Sequence, residues 1–131
     1  MKILHIDSNH PILISTLKNN GYINVLDISS SKEEIIKIID DYDGLILRSR
    51  FKIDKYFIDN ASNLKFIARV GSGLENIDCN YAKSKNIEVI SSPEGNSNAV
   101  GDHAMGLLLS LLNNINICLL YTSPSPRDCR L

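Results

Sequence analysis

Gly71 and Gly73, with Ser72 between them and Arg69 two residues ahead, make the stretch of this 131-residue sequence best suited to hold a small anion. Glycine tolerates φ > 0 and lets a ligand come close to backbone N–H groups, whose partial positive charges converge on it. The segment Arg69-Val70-Gly71-Ser72-Gly73-Leu74-Glu75-Asn76-Ile77-Asp78 reads equally as a cradle for a carboxylate or phosphate and as a tight turn whose glycines solve a steric problem. A second feature, Arg48-Ser49-Arg50, could fork a guanidinium onto the same anion, although a surface arginine with no ligand is the commoner case. Asp7-Ser8 is a third polar pair of this kind. Metal chemistry is not indicated, because Cys79, Cys118 and Cys129 form none of the close pairs that mark zinc or redox sites.

These features fall between the elements of an alternating pattern. Ile3 to Ile6 is a short apolar run that stops at Asp7, and Ser8-Asn9 followed by Pro11 predicts a helix running through Leu13 and Leu17 to a stop at Gly21. Ile23, Val25, Leu26 and Ile28 predict a second strand. Ser31 and Glu34 have capping-box spacing, and isoleucines 35, 36, 38 and 39 supply the next helix with a buried face. Residues 44–47 are a continuous apolar run of the sort covered on both faces, ending at Arg48. Asp54 caps a short helix carrying Phe57, Ile58 and Ala61. Phe66-Ile67-Ala68 leads into the glycine turn, Asp78 caps a helix with Tyr81 and Ala82 inward, and residues 87–90 make a fifth strand. Five strands alternating with helices predict an α/β fold, a five-stranded parallel sheet with helices on both faces and right-handed crossovers. Ligands on such sheets lie at the carboxyl ends of the strands, where Asp7, Arg48 and the glycine turn all fall and can face one crevice.

The length suits one average domain. Fourteen basic against fifteen acidic side chains leave a net charge of -1, so no general pull toward nucleic acid or anionic membrane is expected. The apolar run after Met1 is too short for a signal peptide and no window approaches a membrane span, which makes a cytoplasmic protein the expectation. After the turn-rich connector Ser91-Ser92-Pro93-Glu94-Gly95-Asn96, the longest helical pattern runs from Ser97 to about Asn113, with Val100, Ala104, Leu107, Leu108, Leu111 and Leu112 as its stripe and Met105 and Leu109 widening it. A five-stranded domain already has its helices, so this stripe is expected to face something else or to drive self-association. Gly101 and Gly106 within it suggest close packing. His103 sits inside this helix, where a packed or capping histidine is commoner than an acid/base; His5 and His10 read as structural or exposed.

With the arginine cluster, the glycine turn and the long helix in that order, the chain resembles the N-terminal part of the D-isomer-specific 2-hydroxyacid dehydrogenases, most of all their phosphoglycerate branch. The likeness is carried by Leu47-Arg48-Ser49-Arg50, by the run from Leu64 to Asp78, by Tyr81-Ala82-Lys83 with the stop at Asn86-Ile87, and by Ser92 through Ala104, and it extends from Lys2 to about Asn114. It implies a flavodoxin-like substrate-binding domain over residues 1–96 and the first helix of an NAD-binding domain over residues 97–116. It also implies that Gly71, Ser72 and Gly73 offer N–H groups to the carboxylate of a small 2-hydroxy or 2-oxo acid, that Ser72 lies near the nicotinamide end of NAD, and that Arg48 holds an anionic substrate such as 3-phosphoglycerate. The implied reaction is hydride transfer between NAD and C2 of the acid, the first step of serine biosynthesis in that branch, with a histidine, a carboxylate and an arginine as catalytic groups in a homodimeric full-length protein.

None of those catalytic residues has a counterpart here, and no Gly-x-Gly-x-x-Gly occurs, so a truncated chain that does not catalyse by itself is expected. Residues 117–131, with Pro124 and Pro126, depart from the family pattern and read as a non-native tail. A signalling receiver domain would need an aspartate after strand three and a lysine after strand five, where Arg48 and Ser92 stand. A stand-alone regulatory module that binds a small anion on the same fold stays open as the alternative, as does the choice among 2-hydroxy acids and between NAD and NADP.

Overall fold

A computed structural model of the chain describes residues 1–115 and Leu119. Met1–Gly95 form one compact unit, and a second begins at Asn96. In the first, the strands β1 (Lys2–His5), β2 (Ile23–Leu26), β3 (Gly44–Leu47), β4 (Phe66–Arg69) and β5 (Glu88–Ile90) alternate with the helices α1 (Pro11–Asn19), α2 (Lys32–Ile38), α3 (Lys55–Asp59) and α4 (Cys79–Ser84). All neighbours pair in parallel, in the order β2-β1-β3-β4-β5. This is the predicted five-stranded α/β sheet in its flavodoxin-like order, and the chain changes direction across the sheet between β1 and β3.

The register decides which side chains share a face. Leu4 lies beside Val25 and Leu45, Leu45 beside Ile67, and Ile67 beside Val89, so one row of apolar residues crosses the whole sheet. That row packs with Ile35, Ile39, Phe57, Ile58, Ala61 and Ala82 into the main core, which brings α2, α3 and α4 to the same side; α1 takes no part in that cluster and packs against β2. The unbroken apolar run of β3 is buried at all four residues, as a strand covered on both faces requires. On the α1 side the ring of Phe66 lies where a Cβ on the neighbouring Gly44 would be, so this strand position accepts only glycine while the phenylalanine stays.

The helix starts follow local chemistry. Ser31 and Glu34 form the capping box of α2, while Asp54 and Asp78 accept from the N–H groups of Phe57 and Tyr81 at the starts of α3 and α4. At α1 the cap is His10, whose Nδ1 accepts from the Ile12 N–H at 3.2 Å with Pro11 in the first turn, and not the earlier Ser8 or Asn9. Asn86 closes α4 in the left-handed region at φ 60°. His5 is fully buried between Asn24 and Asn9. The Asn24 amide donates to the Tyr22 carbonyl, which leaves its Oδ1 to accept from His5 Nε2 at 2.8 Å. This histidine is structural.

The remaining helix, α5 (Glu94–Leu112), is described by itself. It begins three residues before the expected Ser97, because Pro93 fixes the backbone just ahead of a first turn that Glu94 favours with its charge. Its large apolar side chains, among them Val100, Met105, Leu107, Leu111 and Leu112, are exposed. The close packing expected at Gly101 and Gly106 is not seen, since a Cβ at either would meet open space among the described residues. Apart from Leu119, the stretch 117–131 read as a non-native tail lies outside the described residues.

Candidate functional site

At the carboxyl end of β1 the chain passes through Ile6 to Asp7, and at the end of the adjacent β3 it passes into Arg48-Ser49-Arg50. One oxygen of Asp7, Oδ2, accepts from the backbone N–H groups of all three residues, at 2.6, 3.2 and 3.4 Å. Arg50 reaches back the other way. Its Nη1 donates to the carbonyls of Ile6 and Asp27, each at 2.8 Å, and its Nη2 to that of Ser30. The Asp27 carboxylate in turn accepts from the Ser30 N–H and hydroxyl and the Ser29 N–H. Those hydrogen bonds, Ser30's foremost, together with the nearby Arg50 charge, hold its carboxyl below the ordinary carboxylate range. Asp7 and Arg50 are therefore parts of the scaffold. Arg48 is exposed, and its guanidinium has no partner among the described residues.

The glycine turn stands one strand further along, with Leu47 of β3 beside Arg69 of β4. The Val70 N–H donates to Leu47 O and the Gly71 N–H to Arg69 O, at 2.8 and 3.0 Å, while Gly71 O accepts from the Ser92 N–H at 2.9 Å. Gly71 has φ 155°, a conformation that other residues rarely adopt, so it shapes the turn while its own N–H is already engaged. Arg69 is not available to a ligand in the way its position at the strand end suggests. Its Nε donates to Arg48 O at 3.0 Å and its Nη1 to Gly73 O, and the same Nη1 lies 3.8 Å from Glu75 Oε2. It is a strut between the two turns. Ser72 is exposed, and its N–H and hydroxyl, like the N–H of Gly73, have no partner among the described residues. The atoms nearest to a Cβ at Gly73 would be those of the Glu75 carboxylate, the end of a side chain that is 78% exposed.

The structure thus brings Arg48, Ser72 and Gly73 to adjoining strand ends with donors unengaged, with Gly71 as the bend between them. A guanidinium, two N–H groups and a hydroxyl can bind and orient a carboxylate or phosphate; they cannot move a proton to or from carbon. Among the described residues no group of three or more His, Cys, Asp or Glu side chains could hold a metal ion. No helix among them is long and apolar enough to cross a membrane. The scaffold roles of Asp7, Arg50 and Arg69 were not legible in the sequence; an aspartate placed at the very end of a strand beside an N–H-rich turn is the signal that could have pointed to the first of them.

The sequence profile of the D-isomer specific 2-hydroxyacid dehydrogenase catalytic domain matches residues 3–125. The chain belongs to this family. Among its relatives there, the D-3-phosphoglycerate dehydrogenase of Archaeoglobus fulgidus is 34% identical over 115 residues, which are 88% of this chain and 22% of that protein. The hydroxypyruvate reductase of Thermotoga maritima is 39% identical over 99 residues, 76% of this chain and 32% of that protein. The crystal structure of NAD+-bound 3-phosphoglycerate dehydrogenase from Entamoeba histolytica superposes with a TM-score of 0.69 at 31% identity, covering 84% of this chain and 38% of the other. The chain spans about a fifth to a third of the length of the two curated relatives. Within the 2-hydroxyacid dehydrogenase family, then, the sheet edge bearing Arg48 and the glycine turn lies inside the matched catalytic domain.

Proposed function

We propose that residues 1–95 form the substrate-binding half of an NAD-dependent oxidoreductase that moves a hydride between NAD and a D-2-hydroxy acid, with 3-phosphoglycerate the first candidate. The observation that carries this is the pairing of an unengaged guanidinium at Arg48 with unengaged N–H donors at Ser72 and Gly73 on neighbouring strand ends. A substrate with a carboxylate at one end and a phosphate at the other needs two anion-binding features, and this edge has two. The carboxylate is held at the Ser72 and Gly73 N–H groups and the phosphate at Arg48. The phosphoglycerate relative fits this division; a reductase of hydroxypyruvate, which has no phosphate, needs only the first half of it.

The residues present do not fit a whole dinucleotide. No Gly-x-Gly-x-x-Gly occurs in the sequence, and Ser72 is the one position here that is assigned beside the nicotinamide end. No catalytic step is therefore placed on these 131 residues, and they are not expected to catalyse alone. A cytoplasmic, homodimeric full-length enzyme belongs to the same reading.

The test uses the purified chain. In a titration with 3-phosphoglycerate followed by 15N amide shifts, Ser72 and Gly73 should move, and Arg48→Met should weaken the response about tenfold or more, on the order of 1.4 kcal/mol. D-lactate, without a phosphate, should be indifferent to that substitution. NADH formation from 3-phosphoglycerate and NAD above a protein-free blank would overturn the non-catalytic part. Amides of the glycine turn that stay still would overturn the binding part, and a strong cofactor-independent rise in melting temperature with 3-phosphoglycerate would favour the regulatory module instead.

A further inference from the structure

Sheets of this strand order most often take a ligand in the crevice where the connections reverse, here between β1 and β3. In this chain Asp7, after β1, accepts from the N–H groups of the turn after β3 at that place. We infer that Asp7 is a positioning residue: its carboxylate is the resident anion of a nest formed by the N–H groups of Arg48, Ser49 and Arg50. By filling the nest it fixes where Arg48 leaves the sheet edge and keeps substrate anions out of the neighbouring crevice. The part concerning substrate rests on the function proposed above for Arg48; the nest itself does not.

Three consecutive N–H groups converging on one oxygen, at 2.6, 3.2 and 3.4 Å, are an anion-binding concavity in their own right, and an ionised acceptor binds such donors more strongly than a neutral one. Asp7 is held independently of the nest. The preceding Ile6 N–H donates to Ile46 O at 3.0 Å, and Asp7 O accepts from Asn9 Nδ2 at 3.1 Å. The carboxylate therefore meets the Arg48 segment from a fixed base, and the segment must conform to it. The nest lies beside the β3 end and the unengaged donors of Ser72 and Gly73 beside the β4 end. Left empty, the nest would offer a substrate carboxylate a second place, one strand away from the productive one.

The inference predicts chemical rescue. In Asp7→Ala the amide signals of Arg48, Ser49 and Arg50 should leave their wild-type positions and the melting temperature should fall by several degrees. Acetate should return those three signals toward wild type and raise the melting temperature, whereas chloride at equal ionic strength should do neither. The wild-type chain should show no such acetate response, because its nest is full. Asp7→Asn, which keeps an oxygen in place without the charge, should lie between the two. Unmoved amides in Asp7→Ala, or an equal acetate effect on wild type, overturns the inference. If Asp7→Ala folds only in acetate the nest is supported; if it folds in neither salt, unmoved Ser49 and Arg50 amides in Asp7→Asn overturn it and moved ones that answer to acetate support it. Arg48→Met with 3-phosphoglycerate reports separately on the substrate site, so failure there leaves the acetate result standing.

Discussion

The turns after β3 and β4 lie side by side on one sheet edge and use the same parts, an arginine pair or single arginine, a serine and a short row of backbone N–H groups. They are finished in opposite ways. After β3 the N–H row is filled by Asp7 and one arginine, Arg50, is committed to three carbonyls, leaving Arg48 as the outward group. After β4 the arginine, Arg69, is committed, and the N–H groups of Ser72 and Gly73 have no partner among the described residues. One turn presents a side chain and hides its backbone; the other hides its side chain and presents backbone. An anion with two charged ends suits such an edge better than either turn suits an anion alone, and residue type by itself does not separate the arginine that faces outward from the arginine that builds.

The two arginines of the β3 turn give the largest contrast. Arg50→Met would leave the carbonyls of Ile6, Asp27 and Ser30 without their donors, at a cost of roughly 2 to 3 kcal/mol. Arg48→Met, at an exposed position with no partner among the described residues, should change stability by less than about 0.5 kcal/mol. Urea unfolding of the two variants decides it. Equal effects would break the division of labour between them.

That contrast also marks what a sequence can and cannot disclose. The strands, the capped starts of α2, α3 and α4, the place of Pro11 in the first turn of α1 and the main core follow from periodicity and local start signals, because apolar spacing and an Asp, Ser or Pro at a helix start act locally. Arg48 and Arg50 stand on either side of Ser49, and what distinguishes them is where the Ile6, Asp27 and Ser30 carbonyls end up in three dimensions. Gly71 and Gly73 pose the same problem within the β4 turn, since one is required by its own dihedral angle and the other only borders a movable carboxylate. The early start of α5 is a smaller case, where a proline read as part of a connector instead sits at the helix threshold.

The two glycines sharpen the comparison inside the open turn. Gly71→Ala forces a side chain into φ 155° and should destabilise the chain by about 1 to 3 kcal/mol. Gly73→Ala has to push aside the exposed Glu75 carboxylate and should cost less than about 0.5 kcal/mol; on the function proposed above it should also weaken 3-phosphoglycerate binding by crowding the neighbouring N–H groups. Thermal or urea unfolding measures the first effect and the amide-shift titration the second. A Gly73→Ala chain as unstable as Gly71→Ala would mean that both glycines are there for the backbone, and would remove one reason to regard the turn as open.

The smallest expected effect concerns the support beneath the closed turn, and its sign follows from Asp27. Hydrogen bonds from Ser30 first, then Ser29 and the Arg50 charge, lower the folded-state pKa of this carboxyl below its ordinary value. A lowered acid contributes stability that is present above the unfolded-state value, about 4, and is lost as pH falls through that value toward the folded one. Glu34, Asp43, Asp54 and Asp59 are lowered too, the last three chiefly through lysine partners in the case of Asp43, Asp54 and Asp59, and the first through Ser31, so the wild-type chain should weaken steadily in acid. Asp27→Asn removes one contributor and leaves the others, so its urea midpoint should fall less steeply between pH 5 and the acid limb near pH 3, roughly the window set by ordinary carboxyl values. The difference should be modest because Asp27 is only partly buried. Identical acid slopes would mean that the Ser29 and Ser30 loop is held by Arg50 alone, which would shift the whole burden of the closed turn onto that arginine and make the Arg50→Met loss correspondingly larger.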